Sequence, residues 1–149
     1  MPYADLRIGR FSEPGREYLV TTVVAGRQPI FTDLYPARVF IRVLRATQEA
    51  GLGTWLAWVL MPDHFHGLVS LAEGADLAAL MRELKGASAR ELNRRLGRSG
   101  RLWQPSFHDH ALRLEEDRLV TARYILANPM RAGLVRRCGD YPHWDSVWL

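Results

Sequence analysis

The chain has 149 residues, of which 48% are hydrophobic and 24% charged, with a formal net charge of +4 and a pI near 9.7. This length suits one domain with its own core, and the hydrophobic share excludes a disordered chain. No apolar run reaches membrane-spanning length and no signal-peptide pattern opens the sequence, so neither a membrane partner nor export is predicted.

The cysteine content indicates the cellular compartment, and the basic residues indicate the class of partner. Cys138 is the only cysteine, which excludes an internal disulfide and fits a reducing cytoplasm. Lys85 is the only lysine, so the basic residues are almost all arginines. Arginine holds phosphate through a planar fork, which favours a nucleic-acid partner. A GC-rich genome would produce the same excess of arginine over lysine.

The first third of the chain predicts an arm, a strand and a helix. Residues 1–16 are polar and carry spaced arginines, which predicts a basic N-terminal arm. Residues 17–25 are rich in β-branched and aromatic side chains, which predicts a strand. A helical stripe of apolar residues over 34–50 predicts the first helix, and Gly51 ends it.

Residues 55–71 predict two strands that meet at a tight turn, Pro62-Asp63. Because side chains alternate along a strand, His64 and His66 share one face while Phe65 points into a core. Two imidazoles about 7 Å apart along a strand can both reach one metal ion. The alternative is a pair of half-buried histidines with ordinary hydrogen bonds.

A second helix is predicted over residues 76–96, and a glycine-interrupted basic loop over 97–101 follows it. We interpret the arginines of this region as a surface that contacts phosphates. The alternative is a solvated helix end, where the helix dipole favours cations. The four arginines are Arg94, Arg95, Arg98 and Arg101.

The last third predicts a strand, a helix and a tail. The strand, 108–113, holds a second His-x-His pair, His108 and His110, which is the runner-up metal pair. A third helix starts at acidic residues near position 115, which suit its dipole, and ends at Asn128 because Pro129 follows. The tail, 136–149, is expected to pack back over the sheet through its tryptophans.

This order of elements predicts an α+β fold of the ferredoxin-like, split βαβ type. Such a fold is an antiparallel sheet with helices on one face, to which this sequence adds a C-terminal helix that carries a tyrosine. We expect residues 1–149 to form a single domain, with residues 1–16 as its arm and residues 136–149 as its tail.

Two motifs resemble those of the HUH nucleases, in particular the single-tyrosine transposases of single-stranded DNA and their REP-associated tyrosine transposase branch. The run Met-Pro-Asp-His-Phe-His at 61–66 is similar to the family's His-hydrophobic-His motif. The run from Tyr124 to Val135 is similar to its tyrosine helix with the Asn-Pro-x-x-Ala-Gly-Leu-Val ending. The resemblance extends from about residue 18 to residue 135.

The resemblance implies an enzyme that cleaves and rejoins hairpin-bearing single-stranded DNA during transposition and recombination. Tyr124 would attack the scissile phosphate and form a covalent 5′-phosphotyrosine. His64, His66 and Asn128 would bind Mg²⁺ or Mn²⁺. Three further residues are candidates for supporting roles: Arg131 in DNA binding, and His110 and Glu116 beside the metal.

Two other functions remain open from the sequence. One is a non-enzymatic single-stranded DNA-binding protein derived from a transposase. The other is a small-molecule metalloenzyme with His-x-His ligands. The intact tyrosine, histidines and asparagine favour the nuclease over the first, and the second lacks an obvious general base. The sequence leaves the oligomeric state open between monomer and homodimer.

Overall fold

The computed structural model describes residues 16–113 and 116–149, with the side chains at 116 and 117 left out. Its strands are β1 (Glu17–Val23), β2 (Gly53–Met61), β3 (His64–Leu71), β4 (His108–Ala111) and β5 (Trp144–Ser146). Its helices are α1 (Leu34–Glu49), α2 (Leu77–Leu96), α3 (Glu116–Leu126) and α4 (Asn128–Arg131).

Within these residues the five strands form one antiparallel sheet in the order β4-β1-β3-β2-β5. The first four strands have the order of a split βαβ sheet, so the predicted ferredoxin-like fold is confirmed. The predicted basic arm lies outside the described residues except for Arg16, whose Nε donates to the Leu112 carbonyl oxygen at 2.9 Å. None of the described helices is long and apolar enough to cross a membrane.

One face of the sheet forms the main core with α1 and α2. Phe65 of β3 is fully buried there, with its ring centroid 5.0 Å from that of Phe40 and 5.4 Å from that of Trp55. The carboxylate of Asp76 begins α2 by accepting hydrogen bonds from the first turn, and Gly97 ends it at φ 63°. These contacts fix β3 from one face, and the side chains of His64 and His66 lie on its other face.

The opposite face of β2 and β3 is covered by α3. Ile125 and Leu126 of this helix are buried in a second cluster together with Val59, Met61 and Leu68 of the sheet. The covered apolar area provides the main stabilisation of this helix, since an isolated helix of this length is marginal in water. The tyrosine-bearing helix therefore lies on the same side of the sheet as the histidine pair.

Two expectations about the C-terminal part are only partly right. The helix α3 ends at Leu126, close to the predicted end, but Pro129 does not stop the helical path, because it lies in the first turn of a new helix, α4, where proline is tolerated. The tail does pack on the sheet in part, since Tyr141 and Trp144 belong to or contact the second cluster, but it also extends the sheet, because β5 pairs with β2 as an edge strand.

Candidate active site

The turn between β2 and β3 is fixed by backbone hydrogen bonds from two other segments. Val24 N donates to the Asp63 carbonyl oxygen at 2.9 Å, and Phe31 N donates to the Pro62 carbonyl oxygen at 3.0 Å. The turn therefore has a fixed position at one end of the sheet, and β3 starts from it with His64.

The side chains of His64 and His66 lie on the same face of β3, as the two-residue period of a strand predicts. The ring centroids of His64 and His66 are 4.6 Å apart and their planes are inclined by 84°. Both residues are half-buried, whereas Phe65 between them is in the core on the other face. The expectation of a shared histidine face is confirmed.

Each imidazole is held through its Nδ1 atom. His64 Nδ1 is 2.7 Å from Asp63 Oδ1, and His66 Nδ1 is 2.8 Å from Thr21 Oγ1. The second oxygen of Asp63 lies 3.2 Å from Arg27 Nη1. An oxygen partner at Nδ1 leaves Nε2 as the free nitrogen, which is how metal-binding histidines are usually oriented.

The protonation of these groups suits metal binding. Burial lowers the pKa of His66 to about 4, and electrostatic contributions from His64 and Arg131 act in the same direction. Burial raises the pKa of Asp63, but its hydrogen bond to His64 and its contact with Arg27 outweigh this and lower the pKa overall. At neutral pH the His66 ring is therefore uncharged, with a free lone pair, and the Asp63 carboxylate is ionised.

Arg131 contacts both the ring and the backbone of Tyr124. Its guanidinium carbon lies 3.9 Å from the centroid of the Tyr124 ring, and its Nη2 donates to the Tyr124 carbonyl oxygen at 2.8 Å. The same charge contributes to the lowered pKa of His66, and such an effect falls with distance. The side chain of Tyr124 is 57% exposed, so it is not a core packing residue.

Asn128 lies one helical turn after Tyr124. Ala127 N donates to the Arg123 carbonyl oxygen at 3.0 Å, and Arg131 N donates to the Ala127 carbonyl oxygen at 3.0 Å, so the helical path continues across the junction of α3 and α4. Asn128 is half-buried. The described residues contain no group of three His, Cys, Asp or Glu that could hold a metal ion. That Asn128 is the third ligand stays a prediction from the resemblance.

The second His-x-His pair lies on β4, which is separated from β3 by β1. Thr21 of β1 pairs with His66 on one side and with His108 on the other, so His108 is two strand spacings, about 10 Å, from His66. His110 pairs with Leu19, two residues farther along β1. His108 thus lies in the row of His66, and His110 does not. The side chain of Glu116 lies outside the described part of the chain.

The basic loop after α2 lies at the same end of the sheet as the histidines. Ala25 N donates to the Leu102 carbonyl oxygen and Gln104 N donates to the Val23 carbonyl oxygen, both at 2.8 Å, and Val23 pairs with His64. Three of the four arginines of this region have local partners. Arg94 and Arg95 both contact Glu91, at 2.8 and 2.9 Å, Arg98 contacts Asn93 at 3.0 Å, and Arg101 is exposed.

Sequence reasoning missed Thr21, Asp63 and Arg27 as partners of the histidines. Asp63 carried a detectable signal, because it directly precedes His64. Thr21 carried none, since its contact with His66 depends on the register between β1 and β3.

Comparison with known proteins identifies the family. The profile of the family described as "Transposase IS200 like" matches residues 15–128. The chain belongs to this family. A REP-associated tyrosine transposase of Escherichia coli K12 is 34% identical over 87 residues, which are 58% of this chain and 50% of that protein. A "Putative REP-associated tyrosine transposase" of Haemophilus influenzae is 32% identical over 139 residues, which are 87% of this chain and 78% of that protein.

A solved structure supports the same assignment. The REP-associated tyrosine transposase bound to a REP hairpin superposes with a TM-score of 0.78 at 25% identity, over 91% of this chain and 79% of that one. The resemblance to the REP-associated tyrosine transposases, and with it the HUH transposase class, is therefore confirmed at the level of the family. The chain spans only half the length of the E. coli relative.

Proposed function

We propose that this protein is a metal-dependent endonuclease and strand transferase that acts on hairpin-bearing single-stranded DNA through a covalent 5′-phosphotyrosine. The observation that carries the proposal is the exposed Tyr124, held by Arg131 on the side of the sheet where His64 and His66 lie. The relative solved with a REP hairpin favours a hairpin substrate. We also propose a cytoplasmic location, which the single cysteine fits.

The residues present fit a divalent cation, Mg²⁺ or Mn²⁺. Both Nδ1 atoms have oxygen partners, so the Nε2 atoms of His64 and His66 would hold the ion, with the amide oxygen of Asn128 as third ligand. The bound ion would polarise the scissile phosphate for in-line attack. The neutral state of His66 keeps this nitrogen available at neutral pH.

The protein's own groups would carry out the covalent exchange. Tyr124 Oη attacks phosphorus and loses its proton, and the bond from phosphorus to the 3′-oxygen breaks, so a free 3′-hydroxyl leaves. The guanidinium of Arg131 can bind the phosphate and hold the Tyr124 ring at the same time. Attack by another 3′-hydroxyl reverses the step, so no external energy source is required.

Adduct formation tests this proposal. The protein is incubated with hairpin-bearing single-stranded DNA and Mn²⁺, and a denaturing gel is used to detect a covalent protein–DNA species. Tyr124→Phe should abolish the adduct, and so should His64→Ala or His66→Ala, with thermal melts showing a retained fold. Tyr35→Phe is the matched control, because Tyr35 is another exposed tyrosine. An adduct in Tyr124→Phe would contradict the assigned nucleophile, and none in the parent would favour a binding protein.

A further inference from the structure

Helix α1 carries a row of three arginines that the sequence analysis did not single out. Arg38, Arg42 and Arg45 are separated by four and three residues, so they lie on one side of the helix over about 10 Å. All three are exposed. We call Arg38, Arg42 and Arg45 the α1 arginine row.

The charge of this row is not neutralised locally. In the part of the chain that the structure describes, none of the three guanidinium groups forms an ion pair with an acidic side chain. Glu49 at the end is the only acidic residue of α1. The row differs in this respect from Arg94 and Arg95, which share Glu91. A guanidinium without an acidic partner retains its full charge for a phosphate.

The row forms one wall of an open groove whose other wall comes from the C-terminal segment. Pro142 and His143 line this groove together with the row. Burial, together with the charge of Arg38, lowers the pKa of His143, so this ring is neutral at pH 7. The groove is thus lined by three cations, a neutral ring and the apolar residues Leu34, Ile41 and Pro142, without an acidic side chain.

The groove lies at the end of the sheet that carries the histidine pair. Leu60 N donates to the His143 carbonyl oxygen at 2.9 Å, and Leu60 pairs with Phe65, the residue between the two histidines. The other wall, α1, begins shortly after Phe31, whose N–H group donates to the Pro62 carbonyl oxygen in the turn between β2 and β3. A DNA chain engaged at the histidines could therefore continue across the edge at β5 to this groove.

We infer that the α1 arginine row binds the phosphate backbone of the paired stem of the hairpin substrate. The inference rests on the proposed function and adds a docking surface for the stem. A straight, rigid row fits a stem better than a flexible strand, because a duplex presents phosphates in a fixed line. Arginine is suited to this contact, because its planar fork holds one phosphate through two hydrogen bonds.

The test measures the salt dependence of DNA binding in the Tyr124→Phe background, where the proposed cleavage does not interfere. Arg38→Gln/Arg42→Gln/Arg45→Gln should lower the log–log salt slope for a hairpin by about 2 to 3, since each duplex phosphate contact contributes about 0.9. An unstructured oligonucleotide of the same length should show no change in slope. The triple lysine variant, which retains the charges, should keep most of the slope and shows that the helix tolerates substitution.

The matched control removes the same charge elsewhere, at the exposed residues Arg82, Arg90 and Arg136. Its hairpin slope should stay near that of the parent. An unchanged slope in the α1 variant, an equal decrease in the control, or an equal decrease for the unstructured oligonucleotide would each overturn the inference. The expected slopes combined with no adduct in protein that retains Tyr124 would contradict the proposed cleavage and leave this docking surface standing.

Discussion

Two hydrogen bonds determine which nitrogen the histidines can offer to a metal. The carboxylate of Asp63 and the hydroxyl of Thr21 contact the Nδ1 atoms of His64 and His66. An ionised carboxylate can only accept a hydrogen bond, so Nδ1 of His64 carries the proton. The lone pair of Nε2 is then free to bind a metal ion. Arg27 contacts the same carboxylate and holds it from the other side.

We therefore expect Asp63→Ala and Thr21→Val to weaken Mn²⁺ binding by about tenfold or more, because partners of this kind contribute 10- to 100-fold to metal affinity. Calorimetric titration of Mn²⁺ into the DNA-free protein measures this directly. Thr54→Val is the matched control, since Thr54 lies on β2 opposite Ser70, near the other end of the β2–β3 pair. If both variants bind Mn²⁺ like the control, neither residue orients a histidine.

For single residues, the sequence predicts which face of a strand a side chain occupies, but not which distant residues it contacts. The shared face of His64 and His66 follows from the two-residue period of a strand. The contact between Thr21 and His66 requires the register of two strands that are 45 residues apart in the chain, and local pattern does not encode it.

Tyr124, the proposed nucleophile, lies just before an unusual junction of two helices. Pro129 has no N–H group, so it cannot donate to the carbonyl oxygen of Ile125. The chain responds by starting a second short helix, α4, from Asn128. Arg131 of α4 then reaches back to the carbonyl oxygen and ring of Tyr124. Sequence reasoning identified the proline but treated it as an end, since the rule for the residue before proline does not foresee a new helix.

We expect substitutions of Tyr124 and of Asn128 to impair different properties, the first the covalent adduct and the second the affinity for Mn²⁺. Tyr124→Phe removes one exposed hydroxyl, so metal affinity and DNA affinity should persist while the adduct disappears. Asn128→Ala removes a proposed ligand, so Mn²⁺ affinity should fall by about tenfold or more, with some adduct returning at high Mn²⁺. Calorimetry and the adduct assay on both variants measure this. Equal Mn²⁺ binding by Asn128→Ala and the parent would make Asn128 a helix-junction residue only.

For the whole molecule, the order of elements was predictable because each strand and helix carries its own period and its own end signals. Asp76 and Gly97, for example, mark both ends of α2. The short β5 was not predictable, since three residues, Trp144–Ser146, become a strand only by pairing with the edge of β2. The same limit holds for the arginines. The sequence shows where they are dense, and only the fold shows which of them form ion pairs with acidic side chains.

The paired arginines at the end of α2 allow a test of how the whole surface binds DNA. Replacing Arg94, Arg95, Arg98 and Arg101 by glutamine should flatten the salt dependence of binding to single-stranded DNA, because each phosphate contact contributes about 0.7 to the slope. Four full contacts would contribute about 2.8 to the slope, and the decrease should be smaller than this, since Glu91 neutralises part of the charge of Arg94 and Arg95.

Glu91→Gln provides the complementary variant. It releases both guanidinium groups without removing a positive charge, so DNA binding should become tighter and its salt slope steeper. Binding is measured from low to moderate salt with the Tyr124→Phe protein, and Glu83→Gln is the control, because Glu83 is another exposed acid of α2. If the quadruple arginine variant keeps the parent slope and Glu91→Gln behaves like Glu83→Gln, single-stranded DNA does not contact this end of α2.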